Sequence, residues 1–193
     1  MAARKAVKQE LTKEIIMESA RELFSAEGYR NISMRKIASE LGYSHGSIYY
    51  HFKSKAELFY AMVQSDFRML DEVLDAIMAE NDLTDEDKLR KVMLGYIEFG
   101  LTYQSHYEVM FLIKDEEVKS YLAEEPNKSY EKFAQAVYKL SGGNADVSQI
   151  WSIFLALHGF VTHYIKIDMD LEVSKEMADR HARFLTVSLL RST

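Results

Sequence analysis

The sequence predicts an all-α protein, and three observations carry that reading. The 193 residues include one proline, Pro126, and only eight glycines, the two residue types that cost a helix interior about 3 and about 1 kcal/mol. Apolar residues recur at three- and four-residue spacing among abundant helix formers. Runs of alternating Val, Ile and Thr bounded by turn residues, the mark of strands, are missing.

The elements follow in order. A first helix is expected over about Glu10–Ala26, where Ile15, Ile16, Ser19, Ala20, Leu23 and Phe24 share a stripe and Gly28 supplies the turn. Ser33 is a good N-cap for a short second helix with Met34, Ile37, Ala38 and Leu41 facing inward. Gly42-Tyr43-Ser44 makes a tight turn into a third short helix over His45–His51, in which only Ile48 and the following Phe52 look inward. Ser54-Lys55-Ala56-Glu57 reads as a capping box opening a long fourth helix to about Glu80. After a polar connection with Thr84 as the next cap, helices are expected at about Asp85–Tyr103, His106–Ile113, Lys128–Leu140, Val147–Ile167 and Ser174–Leu190. Gly142-Gly143 and Asp168–Glu172 separate the last three.

Composition bounds the function. Hydrophobic residues are 48% and charged residues 28%, the balance of a folded globular chain. The absence of cysteine excludes disulfides, thiolate metal sites and cysteine nucleophiles. Met1–Glu10 is basic but has no apolar run, unlike a signal peptide. The most apolar stretch, Ile150–Ile167, is broken by Ser152, His158, Thr162, His163 and Lys166 and falls short of a membrane span. A cytoplasmic location with no membrane contact is the expectation.

Net charge is −6, distributed unevenly. Residues 1–60 hold ten basic and seven acidic residues; residues 61–193 hold fourteen and twenty-three. A basic head on an acidic body suits a nucleic-acid partner, although an excess of three is also within chance.

The second and third helices, joined by a three-residue turn containing glycine, form a helix-turn-helix layout whose second helix can enter a DNA major groove. The outward face of that helix, with His45, Ser47, Tyr49, Tyr50 and His51, would make a poor core and a good surface for base edges and phosphates. Gly46 permits close backbone approach, and Lys53 and Lys55 follow where phosphates would lie. Ser33 and Arg35 stand at the start of the second helix, where free N–H groups favour an anion. The same pattern, taken alone, also suits a polar loop helix.

The string from Ser33 to Phe59, with Leu23-Phe24 and Gly28-Tyr29 before it, resembles the DNA-binding head of the TetR/AcrR family of bacterial transcription regulators. The resemblance covers about the first third of the chain. It implies a helix-turn-helix DNA-binding domain over residues 1–55 and a helical ligand-binding and dimerisation domain over 56–193, joined by the long fourth helix. It implies operator contacts from Ser33, Arg35, Ser44, His45, Gly46, Ser47, Tyr49, Tyr50, His51 and Lys55. Of these, His45, Gly46 and Ser47 would read bases, and Tyr49, Tyr50, His51 and Lys55 would hold the backbone. Trp151 followed by His158-Gly159 resembles a signature of one branch of the family, and its spacing sets Trp151 and His158 on one helix face.

The Val147–Ile167 helix is apolar nearly all round, so it needs cover on two sides. Paired with the last helix and with a second copy, it would form a four-helix dimer interface through Phe160, Val161, Tyr164, His181, Phe184, Leu185 and Leu189. The alternative is that both stripes are internal core. Gly159, mid-helix, calls for a close helix approach or a cavity. The resemblance implies a small-molecule site in the body. The candidates are Met93, Tyr96, Phe99, Tyr103, Met110, Phe111, Trp151, Phe154 and His158, apolar walls with a few polar tips. Such residues at helical spacing are also ordinary core.

Other chemistry finds no residues to stand on. His158 and His163 are five apart and share no face, and no His-Glu-x-x-His occurs, so no metal is expected. No Gly-Lys-Ser/Thr follows Gly142-Gly143, and no Gly-x-Ser-x-Gly elbow is present. No enzyme activity and no cofactor are expected. The expectation is a ligand-responsive homodimeric repressor that leaves its operator when a hydrophobic small molecule binds. A helical carrier without operator binding and an activator are the alternatives.

Overall fold

The structure, a computed structural model, describes residues 10–113, 115–118, 124–165, 167 and 171–192. Among them the chain forms nine α-helices and no strand.

The head is α1 (Lys13–Glu27), α2 (Met34–Glu40) and α3 (His45–His51). Each start is fixed by a hydroxyl: Thr12 accepts from the Ile15 N–H, Ser33 from Lys36 and Ser44 from Ser47, each satisfying one donor the helix cannot. Thr12 rather than Glu10 therefore sets the first boundary. Gly42, with φ +67°, makes the turn between α2 and α3, a backbone conformation unfavourable for a residue with a Cβ. Ile16, Ile37, Ile48 and Phe52 close the head core, where Phe24, Tyr29 and Phe59 pack with ring centroids 5.2–6.2 Å apart.

Helix α4 (Lys55–Ala79) is 25 residues long, about 37 Å at 1.5 Å per residue. Its first turns bury Leu58, Phe59 and Met62. Its later turns bury Phe67, Leu70, Leu74 and Ile77. One helix thus contributes to the core along its whole length. Its cap departs from the expected box. Ser54 accepts from the Glu57 N–H, but the Glu57 carboxylate accepts from the Lys53 N–H at 2.7 Å, one residue before the cap.

The body is built round α5 (Asp85–Thr102), packed between α4, α7 (Glu124–Leu140), α8 (Val147–Tyr164) and α9 (Leu171–Ser192). Two glycines let its neighbours come close. A Cβ on Gly95 would sit 3.0 Å from Val73 on α4, and one on Gly100 would overlap Val161 on α8. Gly159, by contrast, faces open space.

The expected His106–Ile113 helix is instead the short α6 (Gln104–Tyr107) running into a π-helical turn, Glu108–Leu112. Helix α7 begins at Glu124 rather than Lys128, because Pro126 falls in its first turn, where a missing N–H costs nothing. Helix α8 ends at Tyr164 rather than Ile167, and α9 starts at Leu171 rather than Ser174. Of the Asp168–Glu172 separator, residues 168–170 lie outside the described residues.

Candidate nucleic-acid interface and body cavity

Helix α3 is held by two side chains and leaves the rest of its surface free. Ile48 is fully buried and Phe52 nearly so, while Tyr50 is 81% exposed. Ser44, His45, Gly46 and Tyr49 are also exposed, and Ser47 and His51 are half-buried. Neighbouring rings brace one another: His45 against Tyr49 at 4.5 Å and Tyr50 against His51 at 5.3 Å. Ser44 and Ser47 share a hydroxyl–hydroxyl hydrogen bond of 2.7 Å. Ser33 and Arg35 are exposed at the start of α2.

Lys55, one of the expected phosphate contacts, also has partners within the head. Its ammonium donates to the Tyr29 carbonyl at 2.9 Å and lies 3.9 Å from the Tyr29 ring centroid. It fastens the start of α4 to the turn at Tyr29–Asn31, a cation–π contact that sequence spacing does not reveal. Lys53 reaches back to the Tyr49 carbonyl at 3.3 Å.

Where head meets body lies a polar seam that sequence reasoning missed. The Arg21 guanidinium donates to both oxygens of Asp66, at 2.7 and 3.3 Å, with both residues buried. Burial nevertheless pushes the Asp66 carboxyl up to about 6, against the pull of Arg21. Ser25 donates to Glu108, the first residue of the π-helical turn, and Arg30 pairs with Asp115. His106, beside this cluster, is pushed down to about 4 by burial and then by the Arg21 charge. The 45-residue separation of Arg21 and Asp66 carries no local signal.

The body contains a cavity of about 230 Å3 between α4, α5, α7 and α8. Of the expected ligand residues, Tyr96, Phe111, Trp151 and Phe154 line it. Met93, Phe99 and Met110 are instead buried core outside its wall, and Tyr103 is exposed away from it. His158 lies behind Phe154, stacked on that ring at 6.1 Å. Its Nδ1 is 2.6 Å from the Tyr107 hydroxyl, which is 2.9 Å from that of Tyr96. Burial raises both tyrosines well above the usual phenol range, so they remain neutral hydrogen-bonding groups. Asp71, Ser129, Tyr130 and Phe133 complete much of the wall and were not expected from sequence.

The expected dimer residues divide. Phe184 is 66% exposed, and Phe160, Tyr164 and His181 are half-buried. Val161, Leu185 and Leu189 are buried within the single chain. Val161 fills the space above Gly100, and α9 turns Leu185 and Leu189 inward with Ala178 and Ala182. The outward apolar face is Leu155, Gly159, Phe160 and Phe184. Among the described residues no three His, Asp or Glu side chains gather as a metal site, and no helix is long and apolar enough to cross a membrane.

Comparison with known proteins agrees with this geometry. Residues 16–62 match the family of bacterial regulatory proteins called the tetR family. An HTH-type transcriptional regulator of Staphylococcus aureus strain USA300 is 46% identical over 82 residues, spanning 42% of this chain and 43% of the relative. A regulator of the same description from the bovine strain RF122 is 37% identical over 82 residues, with the same coverage. The match therefore spans less than half the length of these relatives. Over nearly the whole chain, the fold resembles a tetR-family regulatory protein from Rhodococcus RHA1 (TM-score 0.72, 19% identity, 92% of this chain and 96% of that one). It also resembles AibR, solved in complex with isovaleryl coenzyme A and operator DNA (TM-score 0.70, 19% identity, 90% and 97%). The head thus carries the tetR-family sequence over residues 16–62, and the chain as a whole has the fold of solved tetR-family proteins.

Proposed function

We propose that this regulator binds operator DNA as a homodimer and releases it when a small hydrophobic molecule enters the body cavity. The observation that carries the DNA half is α3: two buried anchors beneath an exposed row of hydroxyl, imidazole and phenol groups. A groove presents base edges and phosphates to such groups. The proposed division is a head of residues 1–55 and a body of 56–193, with α4 packing in both. In this reading His45, Gly46 and Ser47 meet the bases, Tyr49, Tyr50, His51 and Lys55 hold the backbone, and Ser33, Arg35 and Ser44 complete the operator contacts. Lys55 supports this surface by holding α4 in place.

The homodimer reading rests on the apolar strip of α8 and α9. Leu155, 48% exposed, and Phe184, 66% exposed, have no cover in one chain. Two such strips would pair as a four-helix interface. In this reading the two α3 helices stand about one DNA turn, roughly 34–36 Å, apart. The cavity wall includes Phe111 of the π-helical turn, and the first residue of that turn, Glu108, accepts a hydrogen bond from Ser25 in the head. A ligand that shifts the turn would thus alter head separation. Linkage then requires DNA to weaken ligand binding by the same factor.

The test is operator selection from random duplexes followed by fluorescence anisotropy. Wild type should retain a preferred sequence at moderate salt. An Arg35→Ala, Tyr50→Ala double variant should keep its fold and bind more weakly, with a salt slope lower by about 2 from the one Arg35 charge lost in each subunit, the neutral Tyr50 lowering affinity alone. A double variant that binds as tightly as wild type would refute the assignment.

A further inference from the structure

The cavity wall has a chemical bias that narrows its ligand, and the inference drawn from it rests on the reading of this cavity as the effector site. Two sides are aromatic. Trp151 and Phe154 lie nearly parallel at 5.4 Å, and Tyr130 stands edge-on to both, at 5.1 and 5.3 Å. Tyr96 and Phe133 flank Phe154 at 6.0 and 6.1 Å. Only one charged residue belongs to the described wall, and it is an acid, Asp71. Its Oδ1 accepts from the Ser129 hydroxyl at 2.6 Å. Lys132, which does not line the cavity, sits closer to Asp75 (2.6 Å) than to Asp71 (3.9 Å). Two carboxylates share one ammonium, so a net negative charge remains at this side.

We propose that the cavity takes a compact aromatic or alkyl-substituted organic cation, its charge held between the ring faces and Asp71. Aromatic rings attract a cation through their quadrupole, most strongly where water is excluded. A weakly hydrated quaternary ammonium loses little on leaving water and gains from both the rings and the carboxylate. An anionic head gains nothing: no Lys, Arg or His belongs to the described wall. Size sets a second limit. A dry cavity of about 150 Å3 holds benzene, so one of about 230 Å3 has room for a benzene ring with a small head attached.

The experiment titrates the full chain with three probes of one shape and different charge: benzyltrimethylammonium, its neutral isostere neopentylbenzene, and phenylacetate. The chain has a single tryptophan, Trp151, and it lies in the wall, so its fluorescence reports occupancy directly. Calorimetry supplies the affinities. The cation should bind at least about tenfold more tightly than the neutral probe, a gap of about 1.4 kcal/mol, and phenylacetate most weakly. Asp71→Asn should shrink the gap several-fold and leave neopentylbenzene unchanged, with a thermal melt confirming its fold. If the neutral probe binds as well as the cation, or phenylacetate binds best, the charge assignment is overturned while the cavity stands as a ligand site. If none of the three changes the Trp151 signal or releases heat, the cavity reading falls as well. The comparison of probes on wild type decides the matter even if the variant fails to fold.

Discussion

Helices α3 and α8 expose opposite chemistry for opposite reasons. Helix α3 has seven residues, and of these only Ile48 is buried, with Phe52 closing its end. Every other side chain on it carries a hydrogen-bonding group, and Gly46 has none. Helix α8 has eighteen residues, of which Ile150, Ile153, Leu157 and Val161 are buried on one side, and yet its other side carries Trp151 and Leu155. A polar exposed face costs nothing in water and invites a polar partner. An apolar exposed face is unfavourable in water and calls for a protein partner or a ligand. The two surfaces thus point to two partners, and the polar seam at Arg21, Asp66, Ser25 and Glu108 ties the regions together.

Breaking that seam should have the largest effect. Arg21→Met leaves Asp66 buried without its guanidinium partner, and removing one member of such a pair costs about 3–5 kcal/mol. Burial raises the Asp66 carboxyl to about 6 even with Arg21 pulling it down, so without Arg21 it protonates at a higher pH still, and part of that loss should return as pH falls from 7.5 to 5.5. Urea melts at pH 7.5 and 5.5 measure both. A midpoint unchanged at pH 7.5 would mean that the pair carries no stability. Adding Asp66→Leu should recover most of the loss, since no buried charge then remains unpaired.

The next break is at the apolar face. Phe184→Asp places a charge where 66% of the side chain is exposed in a single chain. The fold should hold within about 0.5 kcal/mol. Association should weaken by about 2 kcal/mol or more per interface, because interfacial aromatic anchors carry that much. Sedimentation velocity across a concentration series reads the difference. A variant as dimeric as wild type would exclude this face. Leu189→Ala serves as the contrast: Leu189 is 3% exposed, and its truncation should cost about 2–5 kcal/mol of stability.

The seam also carries a pH signature. His106 is pushed down to about 4 in the folded chain, from an ordinary value near 6.5. The unfolded chain therefore binds the extra proton first as pH falls. His106 contributes stability that is fully present above pH 6.5 and lost as pH falls toward 4. Discounted for partial solvent access, the contribution is up to about 2 kcal/mol. His106→Gln should flatten that acid limb. An unaltered limb would show that His106 titrates alike in both states.

These breaks fall where the sequence was hardest to read. The head was legible because its determinants are local. Ser33, Ser44 and Gly42 each act within a few residues, and Ile48 and Phe52 are α3's inward anchors. The exposed face of α3 followed by subtraction. In the body, the same apolar letters serve core, cavity and interface, and periodicity does not separate them. Val161 and Phe160 are adjacent on one helix, yet Val161 is sealed over Gly100 while Phe160 turns outward against His181 at 4.8 Å. Phe111 lines the cavity, while Met110, its neighbour in the π-helical turn, is buried core outside the wall. The Arg21–Asp66 pair, 45 residues apart, exists only once α1 and α4 have packed.

The smallest effect tests the head most cleanly. Tyr50 is 81% exposed, and its ring meets that of His51 edge-on at 5.3 Å. Tyr50→Ala should leave stability within about 0.5 kcal/mol of wild type. Tyr50→Phe keeps the ring and removes only the hydroxyl. If that hydroxyl holds a phosphate, both variants should weaken operator binding by about 1 kcal/mol, the net worth of one hydrogen bond. The loss should be uniform across operator sequences, because a backbone contact positions the head without reading bases. A loss confined to particular base changes would instead move Tyr50 into the group that reads the groove. That outcome would redraw the division within α3 while leaving its contrast with α8 intact.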